Sequence, residues 1–210
     1  MTLEDILIET AAYLDQTTDL PTGDDYDTRV NFANQAIVTW QKAYRWNELK
    51  KKYVFSASTM ATISLPSDFD VLSGNPQELL QNNNWREHTQ VDPKMSYPPN
   101  PQAYICWQLG NERQGVNLIF NNLASGATIS LDYFKTADSL ATLTDKVEMA
   151  DGSYVSDFVI SRVLEARGDD RFPIVTSRAQ QKLVGMIGDN QSGATSVTRA
   201  PKYRYRLGRR

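Results

Sequence analysis

The sequence has too few cysteines and histidines for disulfide or metal chemistry of the usual kinds. Its 210 residues include one cysteine, Cys106, and one histidine, His88. A single cysteine cannot form an intrachain disulfide, so the fold needs no oxidising compartment. One cysteine and one histidine also fall short of the ligand set of an ordinary zinc site. Since its neighbours in Y-I-C-W-Q-L are apolar, we expect Cys106 to be a buried strand residue.

Long apolar segments are also missing from the chain. No run approaches the ~18–20 apolar residues that cross a bilayer. The opening M-T-L-E-D-I-L-I-E-T is acidic and amphipathic, unlike a signal or transit peptide. Hydrophobic residues nevertheless make up 40% of the chain, which is ordinary for a globular protein. We therefore expect a globular protein that makes no membrane contact.

Signatures of catalysis are equally scarce. The chain lacks a G-x-S-x-G nucleophile elbow, and the glycines of G-N-E-R-Q-G are not followed by the Lys-Ser/Thr of a P-loop. The acidic pairs Asp24-Asp25 and Asp169-Asp170 lie at predicted helix ends, where aspartate is a common capping residue. The sequence therefore predicts a protein that is not an enzyme, with no cofactor and no metal site.

The charge distribution is the most informative feature that is present. Residues 191–210 contain six basic residues and no acid, whereas residues 1–190 contain 16 basic and 25 acidic residues. Such an asymmetry indicates a tail that binds an acidic surface outside its own fold. Tyrosines alternate with the arginines, and both residue types anchor protein interfaces. The predicted binding residues are Arg199, Lys202, Tyr203, Arg204, Tyr205, Arg206, Arg209 and Arg210.

The periodicity of apolar residues changes twice along the chain. Helical spacing predicts helices over 3–14, about 25–46, about 151–167 and about 174–187, the last ended by Gly188. Between the second and third helices, strand-like runs are separated by turn residues, and the last three predict an antiparallel meander over 103–109, 116–120 and 128–134. The predicted fold class is α+β. A helical bundle (1–50 plus 145–190) is interrupted by an antiparallel β module (51–144) and followed by a flexible basic tail (191–210).

Several segments, taken in order, resemble a known family. They are N-F-A-N-Q-A-I-V-T-W at 31–40, K-K-Y-V-F at 51–55, L-P-S-D-F at 65–69, Y-V-S-D-F-V-I-S-R-V-L at 154–164 and the basic C-terminus. This arrangement resembles the head–tail adaptors of tailed bacteriophages, specifically the larger adaptor of short-tailed phages, also called tail tubular protein A or head completion protein. The resemblance covers nearly the whole chain and rests on the order and spacing of the segments.

The resemblance implies a structural virion protein at the head–tail junction, assembled in the host cytoplasm. It implies a dodecameric ring of copies beneath the portal protein, with the β module toward the tail nozzle or tail tube protein and the C-terminal tail docked on the portal. Genomic DNA would pass through the channel without specific binding, and an acidic body would let the DNA slide.

Two other functions are compatible with the residues alone. The first is a nucleic-acid-binding packaging accessory, in which the basic tail contacts phosphates and the tyrosines stack on bases. The acidic body argues against it. The second is a small enzyme such as a cell-wall hydrolase, which needs a pair of carboxylates in a cleft, and the sequence places no such pair.

Overall fold

A computed structural model describes most of the chain, and its α+β architecture confirms the predicted fold class. The described residues are 1–56, 62–79, 85–87, 89–90, 106–109, 117–120 and 126–195. The chain divides into two compact units. Met1–Tyr44 and the chain from Ser139 onward form a helical unit, and Arg45–Asp138 forms a β unit; the sequence-based division assigned 51–144 to the β module.

Four helices make up the described part of the helical unit. They are α1 (Leu3–Leu14), α2 (Asp24–Ala43), α3 (Ser153–Arg167) and α4 (Phe172–Thr195). Helix α1 begins with a capping box, in which the Thr2 amide donates to Asp5 and the Asp5 amide donates to the Thr2 hydroxyl. Gly168, in the left-handed conformation, ends α3.

Helix α3 is the centre of the helical unit. It packs against α1, α2 and α4, and residues on nearly all of its faces are buried, among them Tyr154, Val159 and Leu164. The apolar stripes of α1 and α2 contribute Leu3, Ile37 and further residues to the same core: Ile6, Leu7, Ala11, Ala33, Ala36 and Trp40. Burial of these stripes is the main source of stability for helices of this length.

The side-chain amide of Asn34 holds the first residues of the helical unit that follow the β unit in the chain. Asn34 of α2 accepts a hydrogen bond from the Leu140 amide (2.8 Å) and donates one to the Leu140 carbonyl (3.0 Å). Both backbone groups of Leu140 are therefore satisfied by one side chain, and Leu140 itself is buried. Asn34, the second asparagine of the N-F-A-N segment, thus has a structural role.

Nine strands and a short 3-10 helix (Asn47–Leu49) lie in the described part of the β unit. The strands are β1 (Lys50–Ser56), β2 (Thr62–Ser64), β3 (Phe69–Leu72), β4 (Gln77–Leu79), β5 (Trp85–Glu87), β6 (Thr89–Gln90), β7 (Cys106–Leu109), β8 (Asn117–Phe120) and β9 (Thr128–Lys135). Strand β9 is central to the first sheet, with β1 along one edge and β3 and β4 along the other; β5 pairs with β4. The second sheet has the order β2-β8-β7-β6.

The predicted meander is wrong in its last step. Strands β7 and β8 pair antiparallel as expected, but β9 pairs with β1, from Lys50 opposite Phe134 to Ser56 opposite Thr128. The inner side of β9 buries Ile129, Leu131 and Tyr133, and this alternation matches that of β1. Burial of this shared face decides the pairing over proximity along the chain. One pair, β6 with β7, is parallel.

Three predictions about the ends of helices are also wrong. Helix α2 ends at Ala43, because Tyr44 has extended dihedral angles, and Trp46 is buried in the β unit. Its N-cap is Gly23, with Asp24 and Asp25 in the first turn rather than at the cap. Helix α4 continues through Gly188 to Thr195, because a glycine within a helix costs only about 1 kcal/mol relative to alanine.

Candidate interaction site at helix α4

Helix α4 leads directly to the predicted binding tail. All eight predicted binding residues, from Arg199 to Arg210, lie outside the described residues, as do His88 and the G-N-E-R-Q-G segment. The last described residue of α4 is Thr195, four positions before Arg199. The structure therefore describes the helix that precedes the tail. Contacts with α1 and α3 fix this helix within the helical unit.

A buried carboxylate fixes α4 to α3. Asp157 on α3 is 5% exposed, and its Oδ1 accepts a hydrogen bond from the Arg178 guanidinium. Lys182, one turn further along α4, places its Nζ 2.6 Å from Asp157 Oδ2 and 3.3 Å from the Ser153 carbonyl oxygen. Pairing with Asp157 raises the pKa of Arg178 above its usual value. One buried acid thus holds two cations of the neighbouring helix, and we call these three residues the Asp157 clamp.

Tyr13 of α1 extends this cluster through its ring. The guanidinium carbons of Arg171 and Arg178 lie 5.9 and 5.7 Å from the ring centroid, within the range of cation–π attraction. The Arg171 side chain is held in turn by hydrogen bonds from its Nε and Nη2 to both oxygens of the Asp169 carboxylate, and this hydrogen bonding lowers the pKa of Asp169 to about 2. The first turns of α4 are therefore tied to α1 and to the α3–α4 turn.

An open pocket of about 480 Å³ lies beside the clamp. Its lining comes from α1, α3 and α4: Glu9, Ala12, Tyr13, Asp157, Ile160, Arg178 and Lys182. The hydroxyl of Ser156 donates to Glu9 (2.6 Å) at its edge. The lining holds two acids and two bases, with both bases on Asp157 and with Glu9 hydrogen-bonded to Ser156, so the arrangement is suited to joining three helices.

A second buried cluster joins the first three helices. Arg29 of α2 is fully buried, and its guanidinium donates to Asp15, to Asp25 (2.6 Å) and, at 3.4 Å, to Thr10. Asp15 also accepts two bonds from Arg167 of α3. The pKa of Asp15 is lowered, because the hydrogen bonds and charges of the two arginines outweigh the desolvation of the carboxylate.

The L-P-S-D-F segment of the β unit has a structural role as well. Asp68 accepts hydrogen bonds from Lys51 of β1 (2.7 Å) and from the Tyr133 hydroxyl of β9 (2.9 Å). Its carbonyl accepts the Thr136 amide (2.7 Å). Burial and the Asp68 carboxylate raise the pKa of Tyr133 to about 12. The segment therefore fastens the turn before β3 to the central strand.

Sequence reasoning missed the buried charges of Arg29 and Asp157, although a signal for each is present. Arg29 stands four positions before Ala33, in register with the apolar stripe of α2. Asp157 stands between Val155 and Val159, three positions before Ile160. A charged residue in apolar register indicates a buried ion pair, but its partners come from other helices and cannot be read locally.

Comparison with known proteins adds no assignment. No protein-family model matches the chain, and no curated protein is significantly similar to it. Among the described residues, no cluster of histidine, cysteine, aspartate and glutamate could hold a metal ion. None of the described helices is long and apolar enough to cross a membrane.

Proposed function

We propose that the protein is a structural head-to-tail adaptor of a tailed bacteriophage, whose basic C-terminal tail docks on an acidic surface of the portal protein. The observation that carries the proposal is the contrast of charge along the chain. Residues 1–44 and 139–195 hold 16 acidic and eight basic side chains, and the tail that follows holds six basic side chains and no acid. The portal protein is proposed as the partner because the order of the five sequence segments resembles that of the phage adaptors.

The attachment of α4 supports this function. The Asp157 clamp and the Tyr13 contacts tie α4 to α1 and α3 at Arg171, Arg178 and Lys182. A binding segment that follows a fixed helix starts from a defined position, which reduces the entropy lost when it orders on its partner. Several copies in a ring would multiply that effect.

The alternative partner is nucleic acid. Six basic side chains with two interleaved tyrosines also fit a single strand, whose phosphates attract arginine and whose bases stack on aromatic rings. The acidic helical unit opposes this partner, because it repels a polyanion at the distances over which the tail acts.

Tail variants of the full chain separate the two partners. In the first variant all six tail cations become alanine; in the second, Tyr203 and Tyr205 become alanine. Each is co-sedimented with purified portal rings and, separately, with DNA over a salt series. The adaptor function predicts that the cation variant loses portal binding and that the tyrosine variant weakens it, while the parent binds DNA poorly at physiological salt. Parent protein that binds DNA with a steep salt dependence and ignores portal rings would overturn the proposal.

A further inference from the structure

Helix α4 presents an exposed stripe without charge. Ile174 and Val184 are 73% and 67% exposed, although large apolar side chains are usually inside. They belong to a line of exposed residues with alternating spacings of three and four: Ile174, Ser177, Gln181, Val184 and Gly188. This spacing keeps the line on one side of the helix over about 21 Å. We call it the α4 stripe.

Helix α2 carries a second stripe of the same form. Val38 is 48% exposed, and it lies in a line of exposed residues with the same spacings: Thr28, Asn31, Gln35, Val38 and Lys42. The two stripes have equal length, and each has a glutamine followed three positions later by an exposed valine. Neither contains an acid. We call this second line the α2 stripe.

The two stripes belong to different sides of the helical unit. Helix α3 packs against both α2 and α4, whereas α2 and α4 share no comparable packing with each other. The helix surfaces that face α3 are buried, as Ala33 and Trp40 show for α2 and Val175 and Ala179 for α4. Each stripe therefore faces away from the core on its own helix.

The charge of the unit restricts what could cover these stripes. With 16 acids and eight bases, copies of the helical unit repel each other. Helix α1 exposes Glu4, Asp5 and Glu9, and α3 exposes Glu165 beside two arginines. Among the described helices, the two stripes are long surfaces that contain no acid, so a second copy can approach there without opposing carboxylates.

The residues at the ends of the stripes are complementary in charge. With the helices parallel and Gln35 and Val38 beside Gln181 and Val184, Lys42 lies beside Gly188 and close to Asp189, an exposed acid of α4. At the other end Asp27, exposed in the first turn of α2, approaches Arg171. An antiparallel alignment would bring Lys42 toward Arg171 instead. The charges thus favour one orientation.

We propose that the α4 stripe of one copy packs in parallel against the α2 stripe of a second copy. Because the two surfaces differ, the contact is heterologous, and every copy retains one free stripe of each kind for the next neighbour. This inference rests on the proposed adaptor function, which calls for a ring of copies, and it names the surfaces that join them.

Paired cysteines test this contact in the full chain. All variants carry Cys106→Ser to remove the native thiol. The test variant adds Val38→Cys and Val184→Cys; its matched control adds Val38→Cys and Ile174→Cys, which lie near each other only in the antiparallel alignment. The proteins are oxidised over a concentration series up to the millimolar range and separated on non-reducing gels, with circular dichroism as the check that each is folded.

The proposal expects a ladder of linked oligomers from the test variant that grows with concentration and exceeds the control several-fold. A mixture of the single variants Val38→Cys and Val184→Cys should give dimers and no higher species. In the test background Lys42→Glu should weaken the ladder, and Lys42→Glu with Asp189→Lys should restore it. An absent ladder, a ladder equally strong in the control, or dimers formed by Val184→Cys alone would overturn the contact.

The same gels distinguish this inference from the proposed function. They contain no portal rings and require no tail residue. Loss of the ladder with tail-dependent portal binding intact removes this interface and leaves the adaptor function. A ladder without tail-dependent portal binding supports this interface and removes the adaptor function.

Discussion

The helical unit and the β unit differ in how their ion pairs are built. In the helical unit, Arg29 is fully buried and Asp157 is 5% exposed, and each has at least one partner from another part of the unit. In the β unit, the pairs Lys50–Asp132, Lys51–Asp68 and Arg45–Asp70 have side chains between 29% and 59% exposed. The β unit also buries Glu78 and Lys135, and Lys135 pairs with the exposed Asp138 three positions further along the chain. The same chain thus uses ion pairs in two different ways.

The energetic consequence of this difference follows from solvation. An exposed pair contributes about 0–1 kcal/mol, because water screens the charges and competes for the hydrogen bonds. A buried charge costs several kcal/mol of desolvation, which its partners must offset, so removal of one member is expensive. Loss of Arg29 or Asp157 in the helical unit should therefore cost more stability than loss of one member of an exposed pair in the β unit.

The largest expected effect comes from Arg29. Arg29→Ala leaves a cavity among three helices and removes the guanidinium that pairs with Asp15 and Asp25. We therefore expect the free energy of unfolding to fall by about 2–4 kcal/mol. Lys51→Ala is the matched change in the β unit and should cost less than about 1 kcal/mol. Urea denaturation measures both, and equal losses would remove the contrast between the units.

The next effect comes from the Asp157 clamp. Asp157→Asn keeps the size of the side chain but leaves Arg178 and Lys182 without their shared charge, at a cost of about 1–3 kcal/mol. Asp132→Asn, at a residue 47% exposed, is the control and should change stability by less than about 1 kcal/mol. Thermal unfolding compares them; a larger loss for the control would show that the clamp contributes little.

Crowding at a glycine sharpens the comparison further. A Cβ at Gly152 would lie 2.6 Å from Met1 Cβ and 2.9 Å from Val147 Cγ2, whereas a Cβ at Gly74 of the β unit would meet nothing within 4 Å. Gly152→Ala should therefore destabilise by about 1–3 kcal/mol. Gly74→Ala should be neutral or slightly stabilising, since alanine reduces the freedom of the unfolded chain. A stable Gly152→Ala protein would contradict the close packing of residues 1 and 147.

The smallest effect concerns pH and the β unit. The pKa of Tyr133 rises from 10.0 to about 12 on folding, through burial and the nearby Asp68 carboxylate. The protonated hydroxyl is thus favoured in the folded state, so its contribution is complete below pH 10 and is lost as pH rises toward 12. Tyr133→Phe should flatten the decline in stability across that interval. Parallel curves for the two proteins would show that folding does not raise the pKa of Tyr133.

The sequence predicted the helices far better than the sheet. The helix predicted over 3–14 follows from the local spacing of Leu3, Ile6, Leu7 and Thr10, and the structure confirms it. The pairing of β1 with β9 joins residues more than 70 positions apart, so no turn between them could reveal it. The β7–β8 pair, linked by a short connection, was predictable for the opposite reason.

The candidate site was predictable only in part. The charge of the tail is visible in the sequence, and the function proposed for it remains a prediction. The clamp that holds α4 was not visible, because the partners of Asp157 are Arg178 and Lys182 of another helix. Gly188 predicts the end of α4, but the helix continues to Thr195, and packing of Val175, Ala179 and Met186 stabilises it.

The central claim is that a folded body and a binding tail are separable in this protein, and a truncation after residue 195 tests it most directly. The cut follows the end of α4 at Thr195, so the 1–195 protein keeps the clamp and both stripes. Its unfolding free energy is measured beside its co-sedimentation with portal rings. The account predicts stability within about 0.5 kcal/mol of the full chain and loss of portal binding. A 1–195 protein that is equally stable and binds the rings as the full chain does would contradict it.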